Sequence, residues 1–262
     1  MRKPGIRKFY FFFSSIFIFL AHLLFVFAKN KPSAEFKPAG LKMETTTGDD
    51  SSLLVLKPKA VSGFSSLYDS LRLNLMGLSQ QAFEYAMKGF NYLVETGKVA
   101  NARIISIVDF SQPSSKKRLF IIDLDNNKVV FNTYVAHGVN SGGASATRFS
   151  NVPESNESSL GFYETQNTYM GNNGYSLKLE GLESGINDNA NRRAIVIHGA
   201  AYVNESLVQS QGYIGRSWGC PAVPEKLNKP IIDKIKNGTC LFIYSPDKNY
   251  LNRSGILHPA GS

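Results

Sequence analysis

From residue 103 onward the chain consists largely of short runs of β-branched and aromatic residues, separated by turn-forming residues. Such runs are typical of strands. We expect strands at residues 104–110, 119–124, 129–136, 160–165, 175–179, 194–198 and 239–244. Residues 125–128, with two asparagines and an aspartate, predict a hairpin turn between the second and third of these. The pattern therefore predicts a mainly β domain with a few helices, of the α+β class.

Three helices are expected beside these strands. The first covers residues 65–75, and the second begins after the capping residue Ser79 and ends at Gly97. The third covers residues 226–237. The second helix has an apolar face formed by Phe83, Met87, Phe90 and Val94. Two helices thus precede the strands, and the apolar face of the second is expected to pack on the sheet.

The N-terminus has the pattern of an export signal. Four cations, Arg2, Lys3, Arg7 and Lys8, precede an apolar stretch at residues 9–28 that contains no acid. The small residues around Ala28 predict cleavage after that position. The stretch is also close to the roughly 20 residues that span a bilayer, so an uncleaved membrane anchor is the alternative. Both interpretations predict an exported protein of the periplasm or cell envelope.

The rest of the chain divides by composition. Residues 29–62 are polar and mixed, which predicts a poorly ordered linker behind the leader. Residues 63–254 are expected to form a single folded domain, which is long enough to bury a substantial core and would be the catalytic domain. Residues 255–262 are expected to be a tail.

The formal charge of the chain is +9, and four of the cations lie in the leader, which leaves about +5 for the exported part. This mild excess suits a polyanionic envelope or a substrate that carries carboxylates. No run of lysines and arginines interleaved with aromatic residues occurs, so nucleic-acid binding is not predicted.

The chain has two cysteines, too few for a disulfide framework. Cys240 lies in a predicted buried strand, where a free cysteine acts as a small hydrophobe. Cys220 follows Gly219 at a tight turn, where it would be accessible, and His198 ends an apolar run. A thiol and an imidazole are the minimum equipment of a cysteine nucleophile, because the thiolate reacts and the histidine can generate it. We therefore interpret Cys220 and His198 as catalytic.

The neighbours of this pair suggest further roles. The amides of Gly219 and Cys220 are candidates for an oxyanion hole, and Gly199 would keep the rim of the site open. Ser217 could orient the imidazole or bind a substrate amide. Arg216 is a candidate to bind a substrate carboxylate, since its guanidinium pairs with one in bidentate fashion.

His137 also ends a predicted strand and is also followed by glycine. It is interpreted as a substrate-binding group, and a partner of the base or the base itself are alternatives. His137, His198 and Cys220 could also form a zinc site. Zinc sites normally include a close-spaced ligand pair, and the sequence has none, so no metal is predicted.

His198-Gly199, followed by Ser217-Trp218-Gly219-Cys220, resembles the catalytic signature of the L,D-transpeptidases of bacterial peptidoglycan, in the subgroup called murein L,D-transpeptidase catalytic domain family proteins. Sequence segments similar to that subgroup also occur at residues 136–138, 159–163, 174–177, 187–190 and 219–222, so the resemblance covers about residues 65–250. Two departures stand out. Trp218 replaces the usual histidine before the glycine, and Pro221-Ala222 replaces an apolar residue followed by arginine or asparagine.

The resemblance implies a curved two-sheet catalytic domain and an acyl-enzyme mechanism without a cofactor. Cys220 would attack the third residue of a peptidoglycan stem peptide, with His198 as general base and acid, and the acyl group would pass to a second stem. Water as the acceptor would instead give an L,D-carboxypeptidase or endopeptidase. A wall-binding module without activity is the third alternative, which the intact Cys220 and His198 argue against.

Overall fold

The computed structural model describes residues 60–259. The predicted leader at residues 1–28, the linker as far as residue 59 and the last three residues of the predicted tail lie outside the described residues. Within residues 60–259, no helix is both long enough and apolar enough to cross a membrane.

Eight strands occur in this part of the chain: β1 (Ile104–Asp109), β2 (Leu119–Asp123), β3 (Lys128–Thr133), β4 (Gly161–Gly171), β5 (Gly174–Gly181), β6 (Val196–Ala200), β7 (Ala222–Pro224) and β8 (Cys240–Tyr244). Six helices accompany them: α1 (Ala60–Ser70), α2 (Leu73–Met76), α3 (Gln80–Glu95), α4 (Glu205–Gln211), α5 (Glu225–Ile235) and α6 (Lys248–Arg253). The predicted mainly β fold with a few helices, preceded by N-terminal helices, is confirmed.

The strands form one mixed sheet in the order β3-β2-β1-β8-β4-β5-β6-β7. The pairs β1–β8 and β6–β7 are parallel, and the other neighbours are antiparallel. The strands that the resemblance assigned to two sheets are therefore joined edge to edge, with β8 paired to both β1 and β4. This order places β6 and β7 at one end of the sheet.

Helix α3 packs on the sheet through its apolar face. Gly89 lies against the ring of Phe162, so closely that a Cβ on Gly89 would be 2.0 Å from that ring. Phe162 in turn stacks on Phe242 with 4.2 Å between ring centroids. Leu93 is fully buried on this face, whereas Val94, which the periodicity had placed there, is 37% exposed. The face thus advances by three residues at its end, as a helix of 3.6 residues per turn permits.

Several elements had no counterpart in the sequence prediction. Strand β4 continues six residues beyond residue 165, and β7, α4 and α6 were not expected. Leu257 is fully buried in the main core although it belongs to the predicted tail. The described part of that tail therefore packs against the folded unit.

Cys240 lies in β8 with no exposed surface and forms no disulfide. Cys240→Ala is expected to lower the free energy of unfolding by about 1 kcal/mol, because it leaves a small cavity in a packed core. Urea denaturation checks the stability, and turnover of the folded variant should equal that of the parent chain. A folded but inactive Cys240→Ala would contradict the assignment of Cys240 to the core alone.

Candidate active site

The candidate site is built where β6 meets β7. His198 lies in β6 and pairs with Ala222 of β7 in parallel register. Cys220 comes two residues before Ala222, in the turn that leads into β7. The same sheet edge therefore carries the histidine on a strand and the cysteine on the adjoining turn.

An open cavity of about 710 Å³ lies at this edge. Cys220, His198, Arg216 and Ser217 all line it, together with Arg193, which the sequence did not single out. Among the described residues, no aspartate or glutamate lines this cavity, while two arginines do. The lining therefore favours a ligand that carries negative charge.

The thiol of Cys220 is partly buried, not fully accessible as the turn suggested. Its sulfur donates to the carbonyl oxygen of Ala194 at 3.7 Å. Burial raises the pKa of the Cys220 thiol above its ordinary value, while the Val196 amide and the charge of Arg193 act in the opposite direction. The protonated thiol is accordingly the favoured form of Cys220.

His198 is 5% exposed and its Nδ1 lies 3.0 Å from the carbonyl oxygen of Gly199. A carbonyl can only accept a hydrogen bond, so the hydrogen-bond network assigns the proton to Nδ1 in the neutral ring. Nε2 then keeps its lone pair. This tautomer leaves a nitrogen able to accept a proton from a thiol at the cavity.

Ser217 and Gly219 hold the turn in shape. The hydroxyl of Ser217 donates to the carbonyl oxygen of Cys220 at 2.6 Å and accepts from the N–H of Gly219 at 3.1 Å. Gly219 has φ +115°, in the region that favours glycine. The Gly219 amide is therefore occupied within the turn, which leaves the Cys220 amide as the candidate oxyanion donor. Ser217 contacts the backbone of the turn and does not contact the imidazole.

Gly199 does not line the cavity. A Cβ at Gly199 would lie 2.9 Å from the Cβ of Asn228 in α5. Gly199 therefore lies against helix α5, and its lack of a side chain permits the close packing there. Arg216, by contrast, is exposed at the cavity, and its one hydrogen bond among the described contacts joins Nη1 to the carbonyl oxygen of Gly142 at 2.9 Å.

His137 is fully buried and does not line the cavity. Its Nδ1 lies 2.7 Å from Nη2 of Arg118, which is also fully buried. Direct contact with a substrate in the cavity is not available to His137 in this conformation. The burial of His137 was not predictable from the sequence, because its partner Arg118 lies 19 residues away, directly before strand β2. Within residues 60–259, no three metal-ligating side chains are grouped to hold a metal ion.

Arg193 and Ala194 are the site residues that sequence reasoning missed. They come directly before the run that ends in His198, and both line the cavity. Ala194 has φ +53°, which is uncommon for a residue other than glycine. Its carbonyl oxygen accepts the hydrogen bond from the Cys220 thiol. A cation at the start of the histidine strand was the available signal for Arg193.

The sequence profile of the L,D-transpeptidase catalytic domain matches residues 75–244, which include every site residue described above. The chain belongs to the L,D-transpeptidase catalytic domain family. The resemblance drawn from the motif is thereby confirmed. No curated protein sequence matches the chain.

Solved structures of low identity also match. An L,D-transpeptidase from Mycobacterium smegmatis is 12% identical with a TM-score of 0.34, over 55% of this chain and 59% of that one. The helical cell shape determining protein of Campylobacter jejuni is 13% identical with a TM-score of 0.39, over 63% and 57%. An L,D-transpeptidase from Stackebrandtia nassauensis is 13% identical with a TM-score of 0.33, over 62% and 66%. This chain thus covers less than two thirds of each of these proteins.

The burial of His137 predicts a pH dependence of stability. Burial first, and then the charge of Arg118, lower the pKa of His137 from 6.5 to about 4. Between these values the unfolded chain binds a proton that the folded chain excludes, so stability falls as pH falls, by about 1.4 kcal/mol per pH unit. The loss should approach about 3 kcal/mol at pH 4.

His137→Asn tests this expectation, because asparagine keeps an acceptor oxygen for Arg118 and does not titrate. Urea denaturation of both chains between pH 7 and pH 4 should show the parent losing stability relative to the variant. Parallel stability curves across that range would contradict a buried, neutral His137.

Proposed function

We propose that this chain is a peptidoglycan L,D-transpeptidase that works through an acyl-enzyme at Cys220. The observation that carries the proposal is that Cys220 and His198 line one cavity, in a chain of the L,D-transpeptidase catalytic domain family. The assigned tautomer of His198 supports it, because Nε2 is free to take the thiol proton.

In the proposed reaction the thiol turns from the Ala194 carbonyl and gives its proton to Nε2 of His198. The sulfur attacks the carbonyl carbon of the third stem residue, a diamino acid, and the amide of Cys220 stabilises the oxyanion. The C–S bond replaces the C–N bond to the terminal D-amino acid, whose amine takes the proton from His198. The side-chain amine of a second stem then attacks the thioester, and the sulfur returns to the thiol. The hydrogen bond from the thiol to the Ala194 carbonyl is compatible with this sequence, because catalytic hydrogen bonds often tighten only with substrate bound.

The charge of the cavity supports a stem-peptide substrate. Stem peptides end in a carboxylate, and no acid among the described lining residues would repel it. Arg216 is exposed there, and its Nη1 donates to the Gly142 carbonyl oxygen. Its Nε and Nη2 donors are therefore available to a ligand. We assign Arg216 to the carboxylate of the donor stem.

Incubation of the chain with purified disaccharide-tetrapeptides tests the reaction through product masses. Cross-linked dimers mean transfer, and monomers lacking the terminal residue mean that water is the acceptor, which is the alternative L,D-carboxypeptidase or endopeptidase. Cys220→Ala and His198→Ala should each lower turnover by at least about a hundredfold, with the folded state retained by circular dichroism. Undiminished product from Cys220→Ala would end the proposal, and unchanged muropeptides with the parent chain would favour a wall-binding module.

Arg216→Gln is expected to raise KM about tenfold or more with kcat nearly unchanged, because a charge-assisted hydrogen bond to the substrate is lost. Arg216→Lys should recover part of the loss. Arg192→Gln is the matched control, since Arg192 is an exposed cation outside the cavity lining. A fall in kcat at constant KM would show that Arg216 acts on the transition state instead of binding the carboxylate.

An envelope location follows from the proposed substrate, because stem peptides with cross-linking partners lie outside the cytoplasmic membrane. The leader at residues 1–28, cleaved or retained as an anchor, would deliver the domain there. Fractionation of cells that express the full chain, followed by N-terminal sequencing, distinguishes the cleaved from the anchored form.

A further inference from the structure

Arg193 is held in an unusual way for a cavity-lining arginine. Its Nη1 donates to the carbonyl oxygen of Ser150 at 2.7 Å and to the hydroxyl of Ser159 at 2.5 Å. Its Nη2 donates to the carbonyl oxygen of Glu157 at 2.6 Å and to the hydroxyl of Ser155 at 3.2 Å. All four acceptors are neutral and lie within residues 150–159. The guanidinium therefore brings a positive charge to the site that no hydrogen-bonded carboxylate cancels.

The same guanidinium borders the cysteine turn. A Cβ built on Gly219 would lie 2.7 Å from the Glu157 carbonyl oxygen and 3.3 Å from Nη2 of Arg193. The turn, the Glu157 carbonyl and Arg193 are thus packed together without room for a methyl group. The next residue, Ala194, supplies the carbonyl oxygen that accepts a hydrogen bond from the Cys220 thiol. The short segment Arg193-Ala194 consequently meets the nucleophile through both a side chain and a main-chain carbonyl.

We propose that Arg193 is the positioning residue of the nucleophile: its guanidinium fixes residues 150–159 behind the Gly219-Cys220 turn and supplies the positive charge that stabilises the Cys220 thiolate as it forms. The inference rests on the proposed role of Cys220. When the thiol proton moves to Nε2 of His198, the electron pair stays on sulfur, and the charge of Arg193, which lines the same cavity, offsets the negative charge. The charge persists through attack on the carbonyl carbon, until the C–S bond forms.

The other groups around Cys220 do not take this role. His198, in β6, becomes positive only after it has accepted the proton. Arg216 also lines the cavity, but it is exposed and held by one hydrogen bond, from Nη1 to the carbonyl oxygen of Gly142. Tyr202 adds no positive charge, and Glu157 turns its carboxylate to Nε of Arg148 at 3.6 Å. Arg193 alone combines a permanent charge with a position fixed by four hydrogen bonds, which is consistent with its lowering the pKa of Cys220 against burial.

The test measures iodoacetamide alkylation of Cys220 against pH in the full chain, with the modified residue identified by mass. Arg193→Gln should raise the pH midpoint of Cys220 alkylation by about one unit and slow alkylation at pH 7 about tenfold, because the stabilising charge is lost. Arg193→Lys should keep the midpoint near that of the parent chain while lowering Tm, since one ammonium cannot reach all four acceptors. Ser155→Ala is the matched control: it removes one of the four hydrogen bonds and no charge, so it should lower Tm and leave the midpoint unchanged.

A folded Arg193→Gln with the parent midpoint would overturn the proposal and leave Arg193 a structural residue only. If Arg193→Gln does not fold, Arg193→Lys decides: a midpoint raised by about one unit despite the retained charge would equally overturn it, and an unchanged midpoint would support it. The readout needs no substrate. Failure of the proposed function would appear separately, as turnover that survives Cys220→Ala while the alkylation result stands.

Discussion

The buried guanidinium of Arg118 fixes the segment on which the cysteine turn is built. A buried charge is tolerated only when its donors are satisfied, and Arg118 directs Nε and Nη2 to the Val135 carbonyl, Nη2 also to Nδ1 of His137, and Nη1 to the Gln112 carbonyl. The residues that follow then bind the turn: the N–H of Ala136 donates to the Ala222 carbonyl, and the His137 carbonyl accepts from the N–H of Ser217. His137 therefore serves the site through its backbone and its bond to Arg118, at the cost of being excluded from the cavity.

Sequence periodicity was sufficient for the long elements and insufficient for the short ones. The strands around Ile105 and Phe242 were predictable because every position is buried and most are β-branched or aromatic. Strand β7 was not, because it has three residues and ends in Pro224, and α4 was not, because it buries none of its residues. Strand β7 exists because it pairs with β6, and such a pairing leaves no periodic signal. Helix α4 is held by its ends, where the side chain of Asn204 accepts from the N–H of Leu207 and Gly212 closes the last turn.

The site divides along the same line. That Cys220 and His198 line one cavity was predictable, because a cysteine nucleophile needs a base and the motif places the two residue types close together in the sequence. The actual surroundings of Gly199, Gly219 and His137 were not, because each depends on a partner distant in sequence or on a turn's own hydrogen bonds. The oxyanion role given to the Gly219 amide illustrates the limit: a glycine after a serine can present its N–H to a ligand or to that serine, and only the geometry distinguishes the two.

The protonated thiol has a consequence for the proposed function, which places a reactive cysteine in an oxidising compartment. The thiolate is the form that oxidises as well as the form that attacks. In this structure burial raises the pKa of Cys220 and the Ala194 carbonyl accepts a hydrogen bond from its thiol, so the protonated form is favoured. The charge of Arg193 opposes this rise in pKa, and in the proposed reaction His198 would take the proton. Under the proposed function, a cysteine that depends on a base in this way, and not on a permanent ion pair, would keep its reactivity for a bound stem peptide.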